Sequence, residues 1–195
     1  MTTPGSAFRP TVRIELPGWI DQAIAASTAG GSDENRVRFV ASLARQNVER
    51  RTGGPFAAAV FESGSGALVS VGLNLVVPLG SSVLHAEVVA LLMAQARVGS
   101  YTLAAPGLPA HELVTSCEPC AMCLGAVVWS GVRRLVCGAT RDDAQSIDFD
   151  EGPVFPESYE YLEQRGIEVV RGVARAEARE VLELYARAGG PIYNP

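Results

Sequence analysis

Two short motifs in distant parts of the chain most restrict how it can fold. Pro119-Cys120-Ala121-Met122-Cys123 places two cysteines three residues apart, and His85-Ala86-Glu87 precedes an apolar stretch that predicts a helix from about residue 85 to 98. Cysteines with this spacing at a helix start point the same way, and the helix dipole there favours their thiolate form. Residues two apart share no helix face, so His85 and Glu87 can converge only around something beyond the helix end.

A metal ion is the object that these side chains predict. Two thiolates and one imidazole supply three of the four ligands of a tetrahedral zinc site, with the fourth position open to water as in catalytic sites. We therefore predict Zn²⁺ held by His85, Cys120 and Cys123, with Glu87 handling the proton of the water. A His-x-Glu followed by a Pro-Cys-x-x-Cys is the sequence signature of zinc deaminases. Core packing or a redox pair is the alternative for a Cys-x-x-Cys taken alone.

The other two cysteines have different expected roles. Cys117 completes a Cys-x-x-Cys-x-x-Cys run with Cys120 and Cys123, a spacing that also occurs in iron–sulfur proteins. It precedes Pro119, in the predicted turn from strand to helix, so we predict a buried thiol beside the ligands. Cys137 lies in an apolar strand and is predicted to belong to the core.

Composition limits the partners and the compartment. A chain of 195 residues that is 48% hydrophobic suits one compact domain. Its net charge of −5 disfavours nucleic acid as a partner. The N-terminal residues do not form a basic leader followed by an apolar core, and no apolar run could span a bilayer. We expect a cytoplasmic protein with reduced cysteines and no membrane partner.

Strands alternate with helices along most of the chain. Residues 1–31 are predicted to be a tail that packs on a domain of residues 32–195. Within the domain we expect a Ser32-capped helix ending at Gly53-Gly54-Pro55, then a β-hairpin, FAAAVFES and ALVSVGLNLVV, around Gly64-Ser65-Gly66. After the 85–98 helix come a strand HELVTS, a helix whose first residue is Pro119, a strand RRLVCGAT, an acidic loop and a helix–strand–helix pattern. This order predicts a sheet covered on both faces, with parallel later strands.

These motifs resemble the cytidine deaminase superfamily. The resemblance rests on HAE at 85–87, on TSCEPCAMCLGA at 115–126 and on the αββαβα order of elements. GGPFAAAVFE at 53–62, Asn74, VVWSGVRRLVC at 127–137, FDEGP at 149–153 and the terminal PIYN are similar to bacterial guanine deaminases, particularly those that accept ammeline. The resemblance implies an α/β fold, a three-layer α/β/α sandwich with a five-stranded mixed sheet. It also implies a homodimer that converts a purine base, guanine, to xanthine and ammonia.

The resemblance assigns proton transfers to two carboxyl groups. Glu87 matches the residue that takes a proton from the attacking water and passes it to a ring nitrogen. Glu151 matches the acid that assists the second proton transfer, and Asp150 is the nearby alternative. A solvated acidic loop is the plain reading of this segment. Ala86, between the zinc ligand and Glu87, is assigned with Asp150 to the substrate-binding residues.

Further pocket residues follow from the same resemblance. Asn74 matches an amide that fixes the edge of the base, although a strand-end cap is the alternative. Phe56 and Phe149 match aromatic residues that sandwich the base, or are ordinary core residues. Trp129 is predicted to form a pocket wall or to pack against a helix. Tyr193 matches a C-terminal tail that closes the pocket, in some cases from the partner subunit, or else belongs to a disordered terminus.

Two departures from the family pattern leave the substrate open. Leu84 stands where a small residue or Thr is common, and Asp148 where Gly is common. Both positions are expected to lie beside the pocket, where a bulkier and more acidic edge would shift the substrate preference toward ammeline, guanosine, cytosine or cytidine. A tRNA adenosine deaminase shares the zinc motifs, but the net negative charge of the chain disfavours binding of negatively charged tRNA. A non-catalytic metal protein would have no use for Glu87 beside an open ligand position.

Overall fold

A five-stranded mixed sheet forms the centre of the molecule, as predicted. The computed structural model describes residues 11–27 and 31–193. The strands are β1 Ala57–Glu62, β2 Leu68–Leu73, β3 His111–Cys117, β4 Arg134–Ala139 and β5 Glu168–Val170, in the spatial order β2-β1-β3-β4-β5. β1 is antiparallel to β2 and to β3, whereas β4 is parallel to both of its neighbours, β3 and β5. The parallel strands are linked by helical crossovers, so their carboxyl ends meet at one edge of the sheet.

Helices cover both faces of this sheet. In the described residues they are α1 Ile20–Ala25, α2 Asp33–Glu49, α3 Val76–Leu79, α4 Ala86–Val98, α5 Ala121–Ser130, α6 Arg141–Gln145, α7 Pro156–Gln164 and α8 Arg175–Arg187. Successive side chains of β1 alternate between two hydrophobic clusters, because neighbouring residues of a strand face opposite sides. Buried residues of α2 and α8 fill the first cluster, and those of α5 and α7 fill the second. The three-layer α/β/α arrangement is thereby confirmed.

The first long helix begins as predicted and ends earlier than predicted. The Ser32 hydroxyl caps α2 by accepting a hydrogen bond from the Asn35 N–H at 3.4 Å. The helix ends at Glu49, not at Gly53, because Arg51 adopts the left-handed conformation (φ 55°) that reverses the chain. Gly53 does not end the helix but allows the chain to pass close to Asn74, because a Cβ at this position would lie 2.1 Å from the Asn74 carbonyl oxygen.

Two other predicted boundaries were wrong. The second hairpin strand stops at Leu73, and Val76–Leu79 form the short helix α3 where a continuing strand was expected. The predicted acidic loop begins with α6, because Thr140 and Asp143 form a reciprocal capping box that starts a helical turn.

The helix that carries Cys123 starts two positions later than expected. Cys120 is the N-cap of α5 and Ala121 its first residue, so Pro119 lies outside the helix. The Cys120 side chain does not cap the helix. The Ala121 N–H donates instead to the Glu151 carbonyl oxygen at 3.0 Å, which ties the helix start to the later acidic segment. Cys117 is the last residue of β3 and not part of a turn.

The described part of the N-terminal segment contacts the first hydrophobic cluster. Ile20 is buried there and Trp19 is partly buried against it. The Trp19 indole N–H donates to the Thr52 hydroxyl at 3.3 Å, and the Arg50 guanidinium lies 5.4 Å from the indole centre. Residues 1–10 and 28–30 of the predicted tail lie outside the described residues. Of the helices that are described, none combines the length and apolarity needed to cross a bilayer.

Candidate metal and active site

Three side chains form a cluster at the carboxyl edge of the sheet that could hold a metal ion. His85 is the N-cap of α4, Cys120 is the N-cap of α5, and Cys123 lies in the first turn of α5. Their donor atoms lie within 4.8 Å of one another, and His85 Nδ1 is 3.5 Å from Cys120 Sγ. Two ligands of a tetrahedral zinc ion, one sulfur and one nitrogen, lie about 3.6 Å apart, given the usual bond lengths. The donor set and its spacing therefore fit zinc.

The charges of these donors suit a cation. A hydrogen bond from Cys123, assisted by His85, lowers the pKa of Cys120 to about 4, although burial opposes the shift. The same hydrogen bond, together with burial, raises the pKa of Cys123 well above its usual value. Burial lowers the pKa of His85, but its hydrogen bond with Cys120 and the charge of Glu87 outweigh this effect and raise it. The thiolate character of Cys120, next to an imidazole and a second thiol, suits a site that binds a cation and releases protons as it does so.

Neither remaining cysteine joins this cluster. Cys117 is buried, and its thiol points to the Thr140 carbonyl oxygen at 3.6 Å. Burial raises the pKa of Cys117 well above its usual value. Cys137 is fully buried in the second hydrophobic cluster, as predicted. In the described residues the metal-binding cluster contains no third thiol, so the geometry does not suit an iron–sulfur centre.

Four carboxyl groups line the pocket beside the cluster, and the pKa values of two of them, Glu87 and Glu151, are raised. Glu87 is in the first turn of α4, and burial and the charge of Cys120 raise its pKa to about 7. Burial, Cys120 and Glu87 raise the pKa of Glu151 to about 8. Carboxyl groups with pKa values near neutrality can both accept and release protons in one reaction cycle.

The pocket has a volume of about 330 Å³ and contains most of the predicted site residues. These are Phe56, Asn74, His85, Glu87, Cys120, Phe149, Asp150, Glu151 and Tyr193. Three aromatic rings form part of its wall: the Phe149 ring centre is 5.0 Å from that of Phe56 and 4.9 Å from that of Tyr193. A larger cavity of about 500 Å³ lies between α1 and α2, away from the metal donors.

Two buried polar groups in this pocket have no hydrogen-bond partner among the described residues. They are the Asn74 Nδ2 amide and the Tyr193 hydroxyl. The rest of Asn74 is well anchored: its N–H donates to the Phe56 carbonyl oxygen, and its own carbonyl accepts from the Gly54 N–H. Its Oδ1 accepts from the Val76 N–H at 3.4 Å. Unpartnered buried polar groups in a pocket are what a bound polar ligand would satisfy.

Comparison with known proteins agrees with this geometry. Residues 31–139 match the family model for the cytidine and deoxycytidylate deaminase zinc-binding region. The chain belongs to this deaminase family. A guanine deaminase of Bacillus subtilis (strain 168) is 34% identical to this deaminase over 134 residues, which cover 69% of this chain and 81% of the relative.

Solved structures resemble this deaminase over nearly its whole length. A guanine deaminase from Nitrosomonas europaea is 47% identical, with a TM-score of 0.85, and the match covers 91% of this chain and 97% of the other. A protein solved in complex with 2,6-diaminopurine is 49% identical, with a TM-score of 0.86 and coverage of 93% and 96%. The family and the donor cluster identify the chain as a zinc-dependent hydrolytic deaminase.

Trp129 does not line the pocket of this deaminase, so the prediction that it forms a pocket wall was wrong. Cys120 and Cys123 turn one face of α5 toward the metal site, and Trp129 lies on another face with 78% of its surface exposed. The Ala86 side chain is also absent from the pocket lining, because it is buried in the second hydrophobic cluster.

The two departures from the family pattern lie away from the pocket lining. Leu84 is buried in the first hydrophobic cluster, so its bulk does not narrow the pocket. Asp148 is exposed and has a φ of 72°, which explains why glycine is common at this position. The expected effect of these residues on the rim therefore has no support in the geometry.

Glu118 and Arg141 were not among the predicted site residues. Glu118 lines the pocket and is 4% exposed, and its carboxylate accepts hydrogen bonds from Arg171 Nε at 2.6 Å and from the Arg141 backbone N–H at 3.1 Å. The signal for Glu118 was its place directly before Pro119-Cys120. Arg141 had no comparable signal, because its partners are backbone carbonyls.

Proposed function

We propose that this deaminase converts guanine and water to xanthine and ammonia. The observation that carries the proposal is the joint placement of Glu87, Glu151 and the unpartnered Asn74 amide in one pocket with the zinc donors. Similar proteins from Bacillus subtilis and Nitrosomonas europaea are guanine deaminases, and one of the similar solved structures contains 2,6-diaminopurine. This purine is flat and carries amino groups, as guanine does.

The polar groups of the pocket suit the edge of guanine. Asn74 Oδ1 already accepts a hydrogen bond from the Val76 N–H, so its Nδ2 is the group left to act as a donor. Guanine presents O6 and N7 as neighbouring acceptors. The Tyr193 hydroxyl, also without a partner among the described residues, supplies a second donor. Phe56 and Phe149 supply apolar surface for the ring.

Proton transfer in this proposal uses both carboxyl groups. When bound, zinc supplies a nucleophile from water near neutral pH. Glu87 takes the proton released by that water and delivers it to the ring nitrogen next to C2 while the C2–O bond forms. Glu151 assists transfer of a second proton to the amino group, and the C2–N bond then breaks to release ammonia. The pKa values of about 7 and about 8 suit both residues to these exchanges.

Glu151 is better placed than Asp150 for the second proton transfer. Glu151 is 7% exposed, whereas Asp150 is exposed. The Asp150 Oδ1 accepts a hydrogen bond from the Gly152 N–H at 2.8 Å, which shapes the loop. Asp150 is therefore proposed to support the loop and Glu151 to exchange the proton.

Assembly, tail closure and location stay predictions. We propose a cytoplasmic homodimer in which residues 1–31 pack on the domain and the C-terminal tail closes the pocket through Tyr193. Light scattering during size-exclusion chromatography tests the dimer. Tyr193→Phe tests the tail, because loss of a hydroxyl that binds substrate raises KM without changing zinc content.

A substrate panel tests the proposed function. Guanine, guanosine, ammeline, adenine, cytosine and cytidine are assayed for ammonia release, with wild type and Glu87→Ala at matched zinc content. We expect xanthine from guanine with wild type and no measurable turnover with Glu87→Ala. Higher kcat/KM on ammeline or a nucleoside would contradict the substrate, and near-normal turnover by Glu87→Ala would contradict its role. The same assay with tRNA as substrate tests the alternative, because turnover on tRNA and not on free bases would favour a tRNA adenosine deaminase.

A further inference from the structure

The segment that carries Glu151 is irregular in structure, and yet it holds a buried carboxyl group. We call residues 150–154 the Glu151 loop. Glu151 and Val154 in this loop are 7% and 4% exposed. Within the loop, the Val154 N–H donates to the Gly152 carbonyl oxygen at 2.9 Å. Such local bonds shape the loop but do not fix its place relative to the metal donors.

The Ala121 N–H, which donates to the Glu151 carbonyl oxygen, holds one point of the loop, and Arg141 supplies further contacts that fix the rest of it. From the start of α6, its Nη1 donates to the Val154 carbonyl oxygen at 2.5 Å and its Nη2 to the Gly152 carbonyl oxygen at 3.2 Å. The Arg141 backbone N–H donates to Glu118, which is two residues before Cys120. One residue therefore connects the segment of a zinc donor to the loop of a proton-transfer carboxyl group.

The charge of Arg141 is not used in an ion pair. In residues 11–27 and 31–193, no carboxylate lies within salt-bridge distance of its guanidinium, and its buried Nε has no hydrogen-bond partner. A guanidinium removed from water is costly unless other groups stabilise it. Here the two loop carbonyls do so, and the positive charge also acts on Glu151, where it lowers the pKa against the effect of burial.

We propose that Arg141 is a positioning residue whose forked hydrogen bonds hold the Glu151 loop, so that the Glu151 carboxyl group faces the pocket beside Glu87. This inference rests on the proposed part of Glu151 in the second proton transfer. Arg141 is absent from the pocket lining, so it acts through the loop and does not touch substrate.

Two substitutions distinguish the effect of the paired guanidinium hydrogen bonds of Arg141 from the effect of its positive charge. Arg141→Lys keeps the charge, but one ammonium group does not reproduce the planar fork. Arg141→Gln removes both. With guanine we expect kcat to fall about 10- to 100-fold in Arg141→Gln, since a displacement near 1 Å of a reacting group has an effect of this order. We expect KM to change less than about threefold, zinc content to stay at wild-type level, and Arg141→Lys to recover part of the loss.

A double-mutant cycle shows whether the effect passes through Glu151. In the Glu151→Gln background, Arg141→Gln should reduce kcat by less than about threefold further, because residues that act together are not additive. Arg175→Gln is the control: it removes the bonds to Asp143 that hold α6 to α8, and we expect a lower Tm with unchanged kcat. Equal losses of kcat for Arg141→Gln in both backgrounds would overturn the proposal.

Hydrogen exchange gives a test that does not depend on the substrate. Amides of residues 149–155 should exchange faster in Arg141→Gln than in wild type, with no such change in Arg175→Gln. Unchanged exchange in Arg141→Gln would overturn the positioning role, even if guanine is the substrate. A wild-type enzyme inactive on every compound of the panel would overturn the proposed function, and the exchange result would still decide the role of Arg141.

Discussion

Replacing Gly72 with alanine should separate α4 from β2 and so disturb the metal site. A Cβ at Gly72 would lie 2.1 Å from the Ala86 carbonyl oxygen and 2.3 Å from the Ala90 backbone nitrogen. Backbone atoms of a helix cannot rotate aside as a side chain can. To restore ordinary van der Waals separation, α4 would have to withdraw by more than about 1 Å.

The expected magnitude follows from what lies at that end of α4. Ala86 is placed between His85 and Glu87, so a displaced α4 carries both residues away from the two cysteines. A shift near 1 Å costs about 100-fold in rate, and overpacking typically costs about 1–3 kcal/mol of stability. We expect Gly72→Ala to lose zinc on dialysis against a chelator at concentrations that wild type withstands, and to unfold at lower urea concentration.

Gly64→Ala is the matched control for this experiment. It lies in the turn of the same hairpin, and its Cβ would meet nothing within 4 Å. Zinc per chain by mass spectrometry, kcat on guanine and urea midpoints are compared for wild type and both variants. If Gly72→Ala behaves like Gly64→Ala in all three measurements, the close packing of β2 against α4 is not what positions His85 and Glu87.

Three shorter predictions concern recognition and stability. Asn74→Ala should lower kcat/KM for guanine about 10- to 100-fold with zinc retained, as measured by steady-state kinetics, because it removes a donor to the base. Asp143→Asn should cost about 1 kcal/mol at pH 7, since the Arg175 hydrogen bond lowers the pKa of Asp143. This difference should shrink in urea titrations as the pH falls below about 4, where the unfolded carboxylate is protonated. Arg51→Gly should raise Tm in calorimetry, because relief of the positive φ at about 1–2 kcal/mol exceeds the entropic cost of glycine at about 0.5–1 kcal/mol. An unchanged or lower Tm would contradict this account.

The metal cluster could be predicted because the His-x-Glu and Pro-Cys-x-x-Cys motifs indicate where two helices begin. His85, Cys120 and Cys123 each belong to a local pattern that indicates where its side chain leaves the helix, and only their meeting required the fold. Arg141 had no such pattern, because every chain segment offers carbonyl oxygens and only tertiary structure selects two of them. Its partners lie 11 and 13 residues away along the chain.

The error at Trp129 has a related cause. Its segment resembles that of guanine deaminases, and an aromatic residue near a pocket helix invites a role in substrate binding. The face of α5 that turns inward is set by Cys120 and Cys123, and Trp129 falls outside it. The α2 boundary failed because Arg51, not a glycine, adopts the reversing conformation. Helix propensity alone does not predict which residue the surrounding structure will hold in the left-handed conformation.

The hydrogen bond from the Ala121 N–H to the Glu151 carbonyl oxygen separates metal binding from proton transfer in this enzyme. Every amino acid carries that carbonyl, so the anchor is indifferent to the side chain at position 151. Variants in which Glu151 is replaced by other residues should therefore keep their zinc, even where they lose the proton transfer that Glu151 is proposed to assist. The start of the helix that carries the zinc ligands is thus independent of the side chain that is proposed to move the second proton.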